Sequence, residues 1–549
     1  MSFFLKNKIS LFDLLFFSFL SLLLLGFNNF ISLWDQDEAA YAGFAKRMLE
    51  TGHYIIPDFT WSDIHRKPPL HFWLIALSYK IFGVNTFAVR FFSAFAVWLS
   101  VCLVRWKGKK IIGDPASKRA ALFMAGNVFL MMLGKMAVTD GLLLFFYTWA
   151  GLSLTEYLLI GRKKALTEFY PAFALGMLVK GPPMLLWAGF LWLLLLIFYP
   201  EKRKVIQMRP WVWGILGLFP FALWIYLAWK QNPDFVRWWT DWYILKRTHS
   251  AVLGQTGPPG TYLVLFFVFG AAYLPLVWMT LKYIWKNLTN RNKTVRILIL
   301  WFVSGWLAYE FLPSKLPAYV LAAYPAMMLL FGMASRDLMK KNGIFSLKWS
   351  FGFQSVVFSL ITIGIAVVLM IRPVEFSEVL SFPLAIMLLL ALGVVLLTYR
   401  AYGKWKAGRY DDSVSTLLIS GLLWTGGLYL LVLPLAEPVK NATFRVAKTL
   451  YTVQEKPEKI VVLNHFSHPP SLIFYLERFF PGVELVIPDP ETFFKEDFVL
   501  KPGHVYIVSG KQWERIAEKQ NIGNFSAVHI KGLATGSVGK NDYVILFPR

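Results

Sequence analysis

The chain has 549 residues, of which 57% are hydrophobic and 16% are charged. Soluble domains carry about 25% charged residues, so this composition excludes an ordinary soluble enzyme and a disordered protein. The net charge is +24, but the basic residues form short clusters between long apolar runs, which is typical of a membrane protein. We therefore expect no nucleic-acid partner. The single cysteine, Cys102, excludes an intrachain disulfide and a metal site built from several cysteines.

The first apolar run, near 9–30, predicts a transmembrane helix that is retained in the protein. A signal peptide would have an apolar region of about 7–15 residues and a small-residue cleavage site, and this run has neither. Runs of about 20 mostly apolar residues predict about thirteen transmembrane helices in all. The other twelve lie near 86–105, 118–135, 139–160, 166–179, 182–199, 210–229, 261–285, 295–312, 317–335, 349–371, 379–400 and 414–434.

Short basic clusters between the predicted spans indicate the orientation of the chain. They lie at 105–110, 162–164, 202–204, 291–293, 340–341 and 404–406. All of them fall on one side under the thirteen-span count, and loops rich in Lys and Arg are cytoplasmic. We therefore expect a cytoplasmic N-terminus, with residues 31–85, 230–260 and 435–549 on the outer side of the membrane.

The last part of the chain differs in composition from the rest. From about residue 440, β-rich runs alternate with helical ones, at 459–463, 470–480, 504–508, 512–520 and 543–546. This alternation predicts a small soluble α/β domain. The predicted fold class is therefore an all-α polytopic membrane domain over residues 1–437, which includes the outer loop 31–85, followed by a soluble α/β domain over residues 438–549.

The outer loop carries the first candidate catalytic residues. Asp37 and Glu38 follow the first span and precede a helical stretch that runs to Glu50. A carboxylate at the start of a helix can simply cap that helix. Alternatively, a carboxylate at the membrane surface can take a proton from an incoming hydroxyl group. The residues alone leave both interpretations open.

Cations are expected at the same depth. Arg66 and Lys67 precede Pro68 and Pro69, and they either extend toward the lipid headgroups or bind a phosphate at the interface. Further outward-facing polar residues are Asp140, Lys180, Lys246, Arg247 and Lys315. Fixed cations near a carboxylate are what group transfer from a lipid phosphate needs, because the cations stabilise the charge of the leaving phosphate.

Four stretches resemble the GT-C class of membrane glycosyltransferases, which use polyprenyl-phosphate sugars as donors. The stretches are Asp37–Ala42, Lys67–Trp73, Lys180–Pro182 and Ser314–Tyr319. The nearest resemblance is to the lipid A aminoarabinose transferases and to bacterial relatives of the protein O-mannosyltransferases. It spans about the first 335 residues, and it implies the GT-C fold.

The resemblance also implies residue roles. Asp37 matches the aspartate at the catalytic centre of the family, and Tyr41 matches a tyrosine beside it. Lys67 and Arg247 match residues that contact the lipid phosphate. We therefore predict that Asp37, Glu38 and Asp140 are catalytic. The residues predicted to bind the lipid phosphate and the sugar are Tyr41, Arg66, Lys67, Lys180, Arg247, Lys315 and Tyr319.

The sequence departs from the aminoarabinose transferases at three points. Arg66 stands where the family usually has Glu, Ala40 stands where it has Arg, and 242–244 reads Trp-Tyr-Ile where it has His-Glu-His. The missing Glu and His can form a metal site in the family, so we predict that no metal or other cofactor is required. We interpret His65 and His71 as hydrogen-bonding residues. The pair His465 and His468 has no Cys or Glu close by in the sequence, so we do not interpret it as a metal site.

The predicted protein is a multi-pass enzyme of the bacterial inner membrane. It would move a sugar from a polyprenyl-phosphate carrier, such as undecaprenyl phosphate, to an acceptor such as lipid A at the periplasmic face, by an inverting single displacement. The acceptor could instead be another lipid, a glycan or a protein, as in protein O-glycosylation. Two further hypotheses are a lipid or sugar transporter and an assembly protein that keeps the fold without activity.

Overall fold

The computed structural model describes most of the chain. The described residues are 10–34, 37–58, 67–241, 256–337, 348–370, 377–440, 442–453, 457–463, 470–488, 499–519, 522–532 and 542–549. Predicted site residues Arg66 and Arg247 lie outside them, as do His65, Lys246, residues 242–244, His465 and His468.

Helices dominate the chain up to residue 453. They are α1 (Leu11–Leu25), α2 (Asp37–Thr51), α3 (Leu70–Phe82), α4 (Thr86–Ile112), α5 (Asp114–Ala125), α6 (Val128–Lys135), α7 (Thr139–Ile160), α8 (Leu166–Lys180), α9 (Pro182–Phe198), α10 (Lys202–Gln207), α11 (Ile215–Gln231), α12 (Pro233–Thr240), α13 (Thr261–Phe269), α14 (Leu274–Thr289), α15 (Lys293–Glu310), α16 (Tyr324–Asp337), α17 (Lys348–Met370), α18 (Ser377–Lys406), α19 (Tyr410–Gly427), α20 (Leu433–Lys440) and α21 (Ala442–Val453).

Seven helices among the described residues are long and apolar enough to cross a membrane, and an eighth is obtained if α13 and α14 count as one bent span. Three shorter apolar helices, α1, α3 and α9, accompany them. The structure therefore confirms an apolar, mostly helical protein with several candidate membrane helices. It does not confirm the predicted count of thirteen.

Two of the predicted spans are broken. The span predicted at 118–135 divides at Gly126, where a Cβ atom would lie 1.6 Å from the hydroxyl oxygen of Tyr273. Asn127 then begins α6, because its side chain accepts a hydrogen bond from the backbone N–H of Leu130. The span predicted at 261–285 bends by 75° between α13 and α14. Small residues and caps at these breaks shorten the helices below the length that an apolar run suggests.

The C-terminal part contains a β-sheet, as its composition predicted, and this sheet has five strands. Its strands are β1 (Lys459–Leu463), β2 (Glu484–Val486), β3 (His504–Ser509), β4 (Phe525–Ile530) and β5 (Tyr543–Pro548), in the order β2-β1-β3-β5-β4. Strands β1, β2 and β3 are parallel, whereas β5 pairs antiparallel with both β3 and β4. Helices α22 (Pro470–Phe479) and α23 (Gly510–Lys519) accompany the sheet.

Helix α2 lies between the membrane part and the C-terminal part. Tyr41, Phe44 and Met48 of α2 belong to the same hydrophobic core as Leu472 and Tyr475 of α22. The backbone N–H of Leu33, just before α2, donates a hydrogen bond to the Tyr475 hydroxyl at 2.6 Å. Lys46 of α2 forms an ion pair with Glu477 of α22. The C-terminal part thus packs against the helix that begins at Asp37.

Candidate active site

The two adjacent carboxylates at the start of α2 point in different directions. Successive residues of a helix are rotated by about 100°, so the side chains of Asp37 and Glu38 cannot share one face. Asp37 is exposed, whereas Glu38 is fully buried. The structure therefore separates the two residues that the sequence paired as catalytic.

Glu38 is held by a buried network. Its Oε1 and Oε2 accept hydrogen bonds from Arg90 Nε and Nη2 at 2.7 and 2.8 Å. The carboxylate also accepts from the backbone N–H groups of Trp34 and Ala137, at 2.9 and 2.8 Å. Arg90 donates in turn to backbone carbonyl oxygens before α2, which belong to Asn28, Ile31 and Ser32. The pair ties the entry of α2 to α4 and to the loop before α7.

The charge state of Glu38 follows from this network. Burial alone would raise the pKa of Glu38, but the charge of Arg90 and the hydrogen bonds from Arg90, Trp34 and Ala137 lower the pKa below its usual value. Glu38 is therefore a carboxylate at neutral pH, with four hydrogen-bond donors around it. A group so fully engaged is suited to positioning and not to proton transfer.

Asp37, Tyr41 and Lys67 form a chain of polar contacts. Asp37 and Tyr41 are one helical turn apart on α2, and the Tyr41 hydroxyl donates to Asp37 Oδ1 at 3.3 Å. The same hydroxyl accepts a hydrogen bond from Lys67 Nζ, which also lies 4.6 Å from the centre of the Tyr41 ring. One hydroxyl group thus joins a carboxylate and an ammonium that lie 30 residues apart in the sequence.

A second ion pair joins Asp140 and Lys180. Asp140 lies in the first turn of α7, and Lys180 is the last residue of α8. Lys180 Nζ donates to Asp140 Oδ1 at 2.6 Å, and both side chains are largely buried. Gly181 ends α8 with a φ of +73°, and Pro182 begins α9. The Lys-Gly-Pro motif is therefore a tight turn that fixes the position of Lys180.

The chain of contacts from Asp37 to Lys67 and the pair of Asp140 and Lys180 lie next to each other. A Cβ atom on Gly181 would lie 3.7 Å from Cγ of Pro68, the residue after Lys67. His71 provides a second link, because its Nε2 hydrogen-bonds to the carbonyl oxygen of Ala137 at 3.1 Å and its ring packs edge-on against Tyr41 at 5.6 Å. His71 thus has the hydrogen-bonding role that its sequence position suggested.

His71 is a buried neutral group beside the charged residues. Burial is the main cause that lowers the pKa of His71 to about 4, with a further lowering from the charge of Lys67. The carbonyl oxygen of Ala137 requires a proton on Nε2, so Nδ1 carries a lone pair. Nδ1 has no hydrogen-bond partner among the described residues.

Lys315 and Tyr319 lie beside Tyr309. The rings of Tyr319 and Tyr309 are tilted by 38° to each other, with centres 5.5 Å apart. Lys315 Nζ donates to the carbonyl oxygens of Tyr309 and Glu310 at 2.9 and 2.7 Å. Lys315 therefore caps the C-terminal end of α15 in this structure.

The described residues hold no candidate metal centre. Within them, no three His, Cys, Asp or Glu side chains are grouped as a metal site requires. The expectation that no metal is needed stays a prediction.

Sequence reasoning missed Arg90 as the partner of Glu38. A signal was present, since Arg90 stands alone between Val89 and Phe91 in an apolar span, where an unpaired charge is costly. A buried carboxylate was therefore to be expected close to it. Ala137 hydrogen-bonds to Glu38 and His71 through its backbone N–H and carbonyl groups, so its residue type could not have predicted these contacts.

Comparisons with known proteins agree with the predicted resemblance. The family model of the dolichyl-phosphate-mannose-protein mannosyltransferases matches residues 66–227. An undecaprenyl phosphate-alpha-4-amino-4-deoxy-L-arabinose arabinosyl transferase of Pseudomonas fluorescens is 26% identical over 416 residues, which are 71% of each chain. A protein of the same name from Pseudomonas savastanoi is 29% identical over 56% of this chain and 58% of its own.

Two crystal structures of ArnT from Cupriavidus metallidurans share the fold. The form bound to undecaprenyl phosphate superposes with a TM-score of 0.75 at 16% identity, and the apo form with 0.72 at 15%; each covers 97% of both chains. This agreement extends over the membrane part and the C-terminal sheet together. The chain therefore has the GT-C fold of these proteins, and the resemblance drawn from the four sequence stretches is confirmed.

Proposed function

We propose that this chain is a membrane glycosyltransferase that transfers a sugar from a polyprenyl-phosphate carrier to an acceptor hydroxyl group. The arabinosyl transferases named above and the structural neighbour with bound undecaprenyl phosphate support this reaction class, as the sequence predicted. Undecaprenyl phosphate is the carrier we propose. Because Ala40, Arg66 and 242–244 depart from the aminoarabinose transferase pattern, the donors tested include sugars other than aminoarabinose.

The single observation that carries the proposal is the chain of contacts from Asp37 through Tyr41 to Lys67, beside the pair of Lys180 and Asp140. An exposed carboxylate and two cations belong to these neighbouring contacts, which supports a site near the end of α8. An ammonium has three N–H donors, and the contacts to Tyr41 and Asp140 use one donor of each lysine. Both lysines therefore keep donors for a phosphate group.

The chemistry follows from this arrangement. The acceptor oxygen attacks the anomeric carbon of the sugar while the bond from that carbon to the phosphate oxygen breaks, which inverts the configuration. Asp37 takes the proton from the acceptor hydroxyl. Lys67 and Lys180 stabilise the negative charge that develops on the departing polyprenyl phosphate. Glu38 and Asp140 position the groups that act in the reaction. Glu38 fixes the start of α2, and Asp140 holds Lys180.

An apolar cavity beside the cations supports a lipid-linked donor. The cavity has a volume of 620 Å³ and is lined by apolar residues of α8, α9, α11 and α12, among them Met177, Leu185, Phe221 and Trp229. Phe221 also contacts the turn after Lys180, since a Cβ atom on Gly181 would lie 3.2 Å from its ring. A prenyl chain can lie in this cavity while its phosphate reaches Lys180.

The location of the reaction follows from the sequence. Basic loops indicate a cytoplasmic N-terminus in the bacterial inner membrane, which puts Asp37 and the C-terminal domain (residues 438–549) on the periplasmic side. The transmembrane catalytic domain then covers residues 1–437. Lipid A is the acceptor that we test first, followed by other glycans, lipids and proteins.

The transporter hypothesis fits the structure less well. A transporter would carry its charged groups near mid-membrane on broken helices. Here Asp37 begins α2, which packs against the C-terminal part, Lys180 ends α8, and Lys67 lies three residues before α3. These positions favour charges near one surface of the membrane domain over charges at mid-membrane.

A donor panel tests the proposed function. Purified protein is mixed with polyprenyl-phosphate sugars and with lipid A or a membrane extract as acceptor, and free polyprenyl phosphate is quantified by mass spectrometry. We expect release from at least one donor, and a loss of at least about 1,000-fold in Asp37→Asn because the proton acceptor is removed.

Asp58→Asn is the matched control, because Asp58 is an exposed carboxylate of the same outer segment that belongs to none of the contacts described. It should retain the wild-type rate. Absence of release from every donor by folded wild-type protein, or full activity of Asp37→Asn, would reject the proposal in favour of transport or a scaffold role.

A further inference from the structure

A second cavity lies at the other end of α8. It has a volume of 810 Å³ and opens between the start of α8 and the start of α11. Helix α8 has 15 residues, so at about 1.5 Å per residue its two ends are about 22 Å apart. Lys180 occupies one end, and this cavity adjoins the other. The cavity is therefore separate from the proposed active site and lies toward the opposite face of the membrane.

The rim of this cavity is cationic. Lys163 and Arg209 both line it, together with the amide of Gln207. The neighbouring Arg162 pairs with Glu156 and Glu168. In the part of the chain that the structure describes, no carboxylate pairs with Lys163 or Arg209. Two positive charges thus line the cavity without a paired carboxylate among the described residues.

The backbone conformation of Arg209 is energetically unfavourable. Its φ is +51°, a left-handed conformation that is unfavourable for a residue with a Cβ atom. Pro210 follows and begins a turn of π-helix that leads into α11. Strained backbone that holds a charged side chain at a cavity is more common at binding sites than elsewhere.

The inner wall of the cavity is apolar and faces lipid. Trp213, Leu216 and Ala174 line it, and Trp213 and Leu216 are 49% and 57% exposed. The helical segment that contains them, Lys202–Gln231, is apolar enough to cross a membrane, and only 17% of its apolar 18-residue stretch is buried within the protein. The hydroxyls of Tyr157 and Tyr170, also in the lining, donate to the backbone carbonyl oxygens of Lys204 and Met208. The polar groups thus gather at the rim and the apolar groups below it.

We propose that this cavity binds one anionic phospholipid from the leaflet opposite the active site, with its phosphate between Lys163 and Arg209 and its acyl chains against Trp213 and Leu216. A soluble phosphate would match the two cations but leave the apolar wall exposed. A zwitterionic lipid would match the wall but bring its own cation to a cationic rim. Only an anionic amphiphile complements both.

Native mass spectrometry of the delipidated full-length protein in neutral detergent tests this proposal. The probes are phosphatidylglycerol and phosphatidylcholine with identical acyl chains, and glycerol 3-phosphate as a competitor without chains. We expect phosphatidylglycerol to bind about tenfold more tightly than phosphatidylcholine, and the double variant Lys163→Gln/Arg209→Gln to lose most of this preference.

The matched control is Lys164→Gln/Lys202→Gln, which removes two positive charges from the same two connecting segments, before α8 and before α11, but from residues outside the cavity. This control variant should bind phosphatidylglycerol within about twofold of wild type. Both double variants lose the same net charge, so a difference between them must come from contacts made inside the cavity. If the double variant Lys163→Gln/Arg209→Gln does not fold, lipid binding is measured with each of the two single variants instead. Equal binding of the two lipids, equal losses in both double variants, or full displacement of the lipid by glycerol 3-phosphate would overturn the proposal.

Discussion

Tyr41 is the residue through which the opposite charges of the proposed centre meet. Its hydroxyl accepts from Lys67 and donates to Asp37, so it orients both groups at once. The ring is fully buried against Phe72 and His71, which fixes the hydroxyl in place. The Tyr41 hydroxyl therefore sets the distance between the Asp37 carboxylate and the Lys67 ammonium.

We expect Tyr41→Phe to lower kcat by about 10- to 100-fold, because Asp37 and Lys67 lose the group that holds them apart and aligned. The KM for the donor should change less, since both charges remain. Steady-state kinetics with the identified donor measure this split. Tyr54→Phe, at a half-buried tyrosine of the same outer segment, is the control. A Tyr41→Phe enzyme with the wild-type kcat would show that the hydroxyl is dispensable.

The low pKa of His71 in the folded protein predicts that stability depends on pH. Its pKa is about 4 in the folded protein and about 6.5 in an unfolded chain. Between these values the unfolded chain binds a proton that the folded protein does not. The free energy of unfolding therefore falls as the pH drops from about 6.5 to 4, by at most about 3 kcal/mol.

Melting temperatures of wild type and His71→Gln at pH 7.5 and pH 5 measure this contribution. Every other titrating group is common to both proteins, so the difference between the two pH-dependent shifts belongs to His71. Wild type should lose more stability on acidification than His71→Gln does. Equal losses would mean that His71 is accessible to protons in the folded protein.

At the scale of elements, the start of α2 depends on the pair of Glu38 and Arg90. The sequence could predict a carboxylate pair before a helix, and the family resemblance implied that Tyr41 lies beside Asp37. The sequence could not predict that Glu38 turns inward, because its partners are an arginine 52 residues later and two backbone N–H groups. Such partners are visible only once α4 and the loop before α7 are in place.

We expect Glu38→Gln to lower the free energy of unfolding by about 3 kcal/mol, since it leaves the buried guanidinium of Arg90 without its counterion. Glu50→Gln, on the same helix, should cost less than about 0.5 kcal/mol, because Glu50 pairs with Lys46 at an exposed position. Thermal unfolding in detergent compares the two. An equally mild effect of both variants would show that the Glu38–Arg90 pair does not stabilise the entry of α2.

At the scale of the whole molecule, the membrane part and the sheet meet at the proposed active site. The strands in the middle of the sheet, β1 and β3 with β5, were predictable because their apolar runs are buried. The edge strands β2 and β4 were missed, since β2 has three residues and β4 is only partly buried. Among the described residues the predicted count of thirteen spans is not confirmed, because apolar composition does not reveal breaks such as the one at Gly126.

The contact between the membrane part and the C-terminal part leads to a prediction about catalysis. Tyr475 accepts a hydrogen bond from Leu33, four residues before Asp37. Tyr475→Phe removes this hydrogen bond to a buried N–H and should shift the segment, with a fall in kcat of about tenfold and an unchanged KM for the donor. Tyr451→Phe is the control, because Tyr451 is exposed in the same C-terminal part. An unchanged kcat would mean that the C-terminal domain does not position Asp37.

Photo-crosslinking tests the central claim most directly. A polyprenyl phosphate with a photoreactive group beside the phosphate is crosslinked to the wild-type protein, with unlabelled polyprenyl phosphate as competitor, and the labelled residues are mapped by mass spectrometry. The account predicts competed labels near Lys67 at the start of α3 and near Lys180 at the turn between α8 and α9. Competed labels confined to the opposite end of α8, near Lys163 and Arg209, would contradict it.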